Sequence, residues 1–162
     1  MANETTTVFS NLENRAYSTI SDFPENRKRI LINEPDHNWR PNVIDKLEHL
    51  LGLEYGWDGY NAESVSFSNA NFALRVLESI CTSDTPPPQI VPGSGGDLQI
   101  EWHTDTTDIE LHVIAPNNVE SWICNSETGE DGKELILTNN FIEVVRALRK
   151  MMEHLIDEAA AA

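Results

Sequence analysis

The chain has 162 residues, 40% of them hydrophobic and 23% charged, and carries a formal net charge of -16 at pH 7. That length suits a single domain, the apolar fraction is enough to fill a core, and no run approaches the roughly 18 apolar residues of a membrane span. The opening MANETTTVFSNLENR lacks the basic start and apolar run of a secretory leader, so a cytoplasmic location without membrane attachment is expected.

Residues 1–40 show no long period and read as a flexible or partly ordered N-terminal arm, with one strand at Arg29–Ile32. A single domain is expected over 41–158. Its first helix spans Pro41–Leu51, where Val43, Ile44, Leu47, Leu50 and Leu51 recur at three- and four-residue steps, and Gly52 ends it. Leu53–Phe67 reads as an ordered loop. A second helix begins near Ser68 with Ser66 or Ser68 as its cap. It turns Phe72, Ala73, Val76, Leu77 and Ile80 inward and stops ahead of Pro86-Pro87-Pro88.

Strands come next. Gln89–Val91 starts a sheet, the Pro92–Gly96 turn follows, and Leu98, Ile100 and Trp102 then alternate with Gln99, Glu101 and His103, the pattern of a strand with one buried face. Ile109, Leu111 and Val113 face inward on the next strand, Val119–Cys124 forms a third, and Glu134–Leu137 adds an edge. Asn140 and Glu143 have the spacing of a capping pair. The helix they open carries an apolar stripe of Phe141, Val144, Val145, Leu148, Met151, Met152, Leu155 and Ile156, with residues 159–162 expected to fray. The predicted class is therefore α+β: an antiparallel three- to five-stranded meander packed on two central helices and a long C-terminal helix. Cys81 and Cys124 lack the spacing of a zinc site and read as buried reduced thiols.

Charge is unevenly spread. Residues 1–40 hold six acids and five bases, whereas Glu78 to Glu134 contains twelve acids against one base, Lys133. Such a field repels phosphate backbones and attracts basic proteins, so a basic protein partner is expected, beside the plain alternative of an acidic surface that serves solubility without a specific partner, and direct nucleic-acid binding by the acidic domain is not.

Two groups of residues are candidates for function. Glu101, His103, Glu110 and His112 share the polar face of the central hairpin. If Trp102 pairs with Leu111, Glu101 opposes His112 and His103 opposes Glu110, and this complementary register is the expected one. Two histidines and two carboxylates so placed are candidate metal ligands or an acid-base pair, although a solvated face with charge pairs is the simpler reading. Asp58, between Trp57 and Gly59, is the second candidate. It is set against the plain alternative that its carboxylate closes an Asx turn while Trp57 and Tyr60 plug the core edge. The residues expected to contact a partner are Trp57, Asp58, Tyr60, Glu101, Glu110 and Glu120. No nucleophile elbow, phosphate loop or dinucleotide fingerprint is present, so no catalytic residue and no cofactor are assigned. Gly93-Ser94-Gly95-Gly96 joins two strands as a turn.

The segments Gly56-Trp57-Asp58-Gly59-Tyr60-Asn61-Ala62 and Gly95-Gly96-Asp97-Leu98-Gln99-Ile100-Glu101-Trp102 together resemble a group of small uncharacterised bacterial proteins. In that group a G-W-D-G-Y-x-A loop links two helices and precedes a strand ending in Glu-Trp. The resemblance covers about Val43 to Trp122. It implies a product of a two-gene arrangement like that of toxins and antitoxins, with no catalytic assignment; the N-terminal arm and the long C-terminal helix depart from the group.

The leading expectation is a non-enzymatic acidic binding protein of antitoxin or immunity type that neutralises or regulates a basic partner, the product of an adjacent gene. Two other readings stand beside it: a small metal-dependent hydrolase using the Glu/His hairpin face, and a phosphate-mimicking inhibitor of a nucleic-acid enzyme. A homodimer through the Phe141–Ile156 stripe is a further expectation.

Overall fold

Alternating strands with one apolar face need a second layer to bury that face, and the helical stripes of this chain supply it. The structure, a computed structural model, describes residues 19–22, 28–31, 37–127 and 129–161. A five-stranded antiparallel sheet runs in the sequential order β3 (Gln89–Pro92), β4 (Leu98–His103), β5 (Thr107–Ala115), β6 (Asn118–Asn125) and β7 (Glu130–Leu137). Helices α1 (Arg40–Leu51), α2 (Phe67–Ile80) and α3 (Ile142–Ala161) pack on one of its faces, the first two also against each other. The predicted α+β meander with a long C-terminal helix is thus the observed fold. A separate hairpin of β1 (Thr19–Asp22) and β2 (Lys28–Leu31) lies against α1 and α2; the rest of the predicted arm up to 36 is outside the described residues.

The core forms where the periodicities meet. Val43, Leu47 and Leu50 of α1 and Ala70, Leu74 and Leu77 of α2 bury against Leu98, Ile100, Ile109, Leu111 and Val113, with Val144, Leu148 and Met151 closing the other end. Each of these valine, leucine, isoleucine and methionine side chains contributes on the order of 2 kcal/mol of burial, and Ala70 less. The folded unit begins ahead of the expected boundary at Pro41. Trp39 is fully buried and donates its indole N-H to the Thr82 carbonyl at 3.1 Å, and buried Arg40 pairs with Glu78 at 2.7 Å, so both anchor α1 to the end of α2.

Helix ends follow local chemistry. Ser66 Oγ accepts from the Asn69 N-H at 3.2 Å to cap α2, as expected. Asn140 Oδ1 accepts from the Ile142 N-H at 3.2 Å, but the expected reciprocal contact from Glu143 is replaced: its carboxylate pairs with Arg146 at 2.6 Å and lies 3.6 Å from Lys133. Two nearby cations outcompete one backbone N-H. The stripe of α3 is spent inside the chain from Phe141 to Met151, which leaves Ile156 exposed as what remains of the face expected to dimerise. The alanines expected to fray continue the helix through Ala161, exposed. Cys81 is buried next to the end of α2, where burial pushes its thiol up to about 12 against a lowering hydrogen bond to Thr85; Cys124 is half-buried.

Two buried polar groups test this packing from opposite sides. The Asn69 amide donates to the carbonyls of Gly96 at 2.9 Å and Ile114 at 3.2 Å, tying α2 to the end of the β4–β5 pair where Leu98 faces Val113. Asn69→Ala removes the side-chain donor to Ile114 and one of the two donors to Gly96, whose carbonyl keeps the Ser66 N-H, and should lower unfolding free energy in urea by about 1 to 2 kcal/mol. Ser121 Oγ is buried with no hydrogen-bond partner among the described residues. Ser121→Ala should therefore hold or raise stability, by up to about 1 kcal/mol, in the same measurement.

Candidate functional site

The helices cover only one face of the sheet, and side chains on the other face stand in rows set by the strand register. One row runs Gln89, Glu101, Glu110, Trp122, Glu134 from β3 to β7. The adjacent row runs Gln99, His112, Glu120, Ile136. Trp102 pairs with Ile109, not with Leu111, so the expected complementary register is corrected: Glu101 opposes Glu110 and His103 opposes Asp108. The cause is the tight turn between the strands. The Thr104 N-H donates to the Thr107 carbonyl at 2.9 Å, and the Thr107 N-H donates to Thr104 Oγ1 at 3.0 Å. Only Asp105 and Thr106 are left to span the turn.

That register divides the predicted metal quartet. His103 Nδ1 lies 2.9 Å from Asp108 and its Nε2 lies 3.2 Å from Glu101, so the protonated ring donates to both carboxylates. His112 Nε2 is instead paired with Asp97, at the far end of the hairpin. Among the described residues no group of three or more His, Cys, Asp and Glu side chains is arranged to hold a metal ion. Glu101, His103, Glu110 and His112 therefore do not form one ligand set.

Between the rows lies a shallow depression of about 450 Å³ lined by Glu110, His112, Glu120, Trp122, Glu134 and Ile136. Trp122 is 38% exposed and Ile136 79% exposed, on a face that no element among the described residues covers. The Trp122 indole lies over Gly132, where any side chain would occupy the space of its six-membered ring. An aromatic face held flat between carboxylates accepts the stem and head of a lysine or arginine. Of these residues, Glu110 and Glu120 were expected as contacts; Trp122, Glu134 and Ile136 were not. The alternation of Glu120 and Trp122 with Val119 and Ser121 is the signal that places the indole on the open face, with a serine inside.

The second candidate forms a different surface. Asp58 Oδ1 accepts from the N-H groups of Tyr60 at 2.8 Å and Ala62 at 3.2 Å, the Asx turn anticipated for it. The left-handed Gly56 (φ 78°) and Gly59 (φ 86°) allow the chain to fold back so that the Gly56 N-H reaches the Ala62 carbonyl at 2.8 Å. Trp57 and Tyr60 do not plug the core. Ala62 and Val65 fill that position, while Trp57 is half-exposed, with its indole N-H on the Glu63 carbonyl at 2.9 Å, and Tyr60 is 82% exposed. The loop is docked on the β3–β4 turn, since the Glu63 N-H donates to Ser94 O and the Ser66 N-H to Gly96 O, each at 2.9 Å. The two segments that carry the resemblance are thus neighbours in space.

The chain matches no family model, no curated protein and no solved structure. Among the described residues, no helix is long and apolar enough to cross a membrane.

Two titrations with opposite signs report on this face. Asp108 first and Glu101 second hold the His103 imidazolium above the ordinary histidine range, against a smaller opposing effect of burial. Its contribution to stability is full below the unfolded value of about 6.5 and is lost as pH rises through the higher folded value. Burial raises the Asp97 carboxyl, but hydrogen bonds from His112 and from the Gly95 N-H outweigh it and leave the group below its usual range. That contribution is present above the unfolded value of about 3.9 and is lost as pH falls through the lower folded value. In NMR titrations, Asp108→Asn should lower the His103 midpoint and His112→Gln should raise that of Asp97; an unmoved midpoint in either variant contradicts the pairing assigned to it.

Proposed function

We propose that this protein is a non-enzymatic binding module whose open sheet face receives a basic protein partner, neutralising or regulating it in the manner of an antitoxin or immunity protein. The observation that carries this reading is the row Glu101, Glu110, Trp122, Glu134, in which an exposed indole stands between carboxylates on an uncovered sheet. Like charges set directly opposite each other cost stability. Glu101 and Glu110 keep that arrangement, relieved on one side by His103, and a partner's cation placed between them removes the rest of the repulsion. Apolar area at Trp122, Ile136 and Ile114 supplies contact, while the carboxylates steer encounter and select against acidic partners. The two-gene resemblance of the Gly56–Ala62 and Gly95–Trp102 segments supports a partner encoded next to this chain.

A phosphate-mimicking inhibitor is the second reading, favoured by the same carboxylates held at strand spacing. The indole within the row favours a side-chain pocket over an extended basic groove. Competition by duplex DNA for the partner separates the two.

Titrating a lysine- and arginine-rich peptide into labelled protein should shift amides of β5, β6 and β7 at low salt, with the effect fading as ionic strength rises. Glu110→Lys combined with Glu134→Lys should abolish both those shifts and the capture of a partner from native lysate. Shifts confined to other elements, or capture indifferent to the charge reversal, would overturn the assignment. Gly132→Ala, which displaces the indole without altering charge, should weaken peptide binding by about tenfold, the loss expected for one displaced aromatic contact.

A further inference from the structure

The acidic sheet has a counterpart in the same chain. Every lysine and arginine beyond Arg75, namely Lys133, Arg146, Arg149 and Lys150, lines a single cleft between α3 and the strands β6 and β7. Chance placement on the surface of a chain of net charge -16 would scatter these residues among its carboxylates. Instead they converge on a space of about 600 Å³, within the range of small-molecule sites.

Two ordinary explanations for such a cluster fail. Cations favour the last turn of a helix, where they offset its dipole, but the last turn of α3 holds no basic residue and these three lie in its middle. Mutual neutralisation by acids is incomplete as well. Glu143 is the one carboxylate among the residues lining the cleft, and it is already shared between Arg146 at 2.6 Å and Lys133 at 3.6 Å. Arg149 and Lys150 make no ion pair among the described residues.

The rest of the lining indicates what the cleft takes. Ile123 and Ala147 give an apolar wall. Thr107 Oγ1 accepts from Asn125 Nδ2 at 3.0 Å, which leaves the threonine proton to donate. We infer that this cleft binds a small phosphate ester of mononucleotide size, its phosphates on the four cations and its apolar portion on Ile123 and Ala147. Two arginines favour phosphate, whose oxygens they can meet in bidentate fashion. Small size follows from the global charge: an extended polyanion leaving the cleft would cross the acidic remainder of the surface, whereas a compact one stays within the local positive field. The site faces the helical layer, so it is separate from the open sheet face, and occupying it supplies the protein with a second ligand.

Calorimetry with ATP and with inorganic tripolyphosphate, at low salt, tests this on the full chain. ATP should bind, and more tightly than tripolyphosphate because of the apolar wall. Arg149→Gln with Lys150→Gln should weaken ATP by about tenfold or more, a loss in keeping with two charge-assisted contacts. Both side chains are exposed, so the thermal unfolding of the double variant should match that of the parent. Glu110→Gln with Glu134→Gln, on the opposite face, should leave ATP binding intact, which separates this site from the proposed partner surface. No binding at about 1 mM ATP, where even a weak site is half filled, would overturn the inference. So would equal affinity in the arginine-lysine variant, or tripolyphosphate binding as tightly as ATP.

Discussion

The closure between Thr104 and Thr107 determines more of this protein's surface than any other contact. A strand has a side-chain period of two, so a slip of two residues between β4 and β5 would keep Leu98, Ile100, Trp102, Ile109, Leu111 and Val113 all inside. The core alone does not resist such a slip. What it would change is the outer face, where every charge would meet a different neighbour. The paired threonines leave only Asp105 and Thr106 between the strands, and the Asp97–His112 pair secures the same register at the other end. Turn chemistry here decides electrostatics while packing stays indifferent.

From that register follows a molecule with two unlike sides. The uncovered face collects carboxylates around Trp122, and the helical side collects all the cations of the C-terminal half. A net charge of -16 conceals this separation, because it averages a strongly acidic face with a local positive cleft. Long-range attraction of a basic partner and short-range capture of a small anion are compatible on such a molecule, since the two act over different distances and from different sides.

Much of the fold was legible in the chain. The periods of Val43 to Leu51, of Phe72 to Ile80 and of Leu98 to Trp102 each named an element and most of its buried face, although Phe72 is only half-buried and Leu74, outside the expected stripe, is fully buried; of the two serines expected as a cap, Ser66 starts α2. The site was less so, for identifiable reasons. Alternation reports which face a residue occupies but not its cross-strand partner, so Glu101 and His112 were expected to meet and do not. Size misleads where an indole lies on the open face and a serine lies inside, as at Trp122 and Ser121. The cationic cleft was hidden because Lys133 is separated in sequence from Arg146, Arg149 and Lys150, and a β7–α3 approach is required to join them.

The carbonyl of Gly96 accepts both the Ser66 N-H and the Asn69 amide, at a residue whose positive φ of 81° turns it toward α2. One oxygen thereby links the start of a helix, the aromatic loop before it and the first hairpin of the sheet. Its consequence is mechanical: Tyr55, Trp57 and Tyr60 are mounted on that hydrogen-bonded junction, although they lie in a loop and are exposed. Opening that loop requires opening the hairpin, so the two behave as one cooperative unit of local unfolding. Aromatic side chains held out on such a base lose little further backbone freedom when something docks on them.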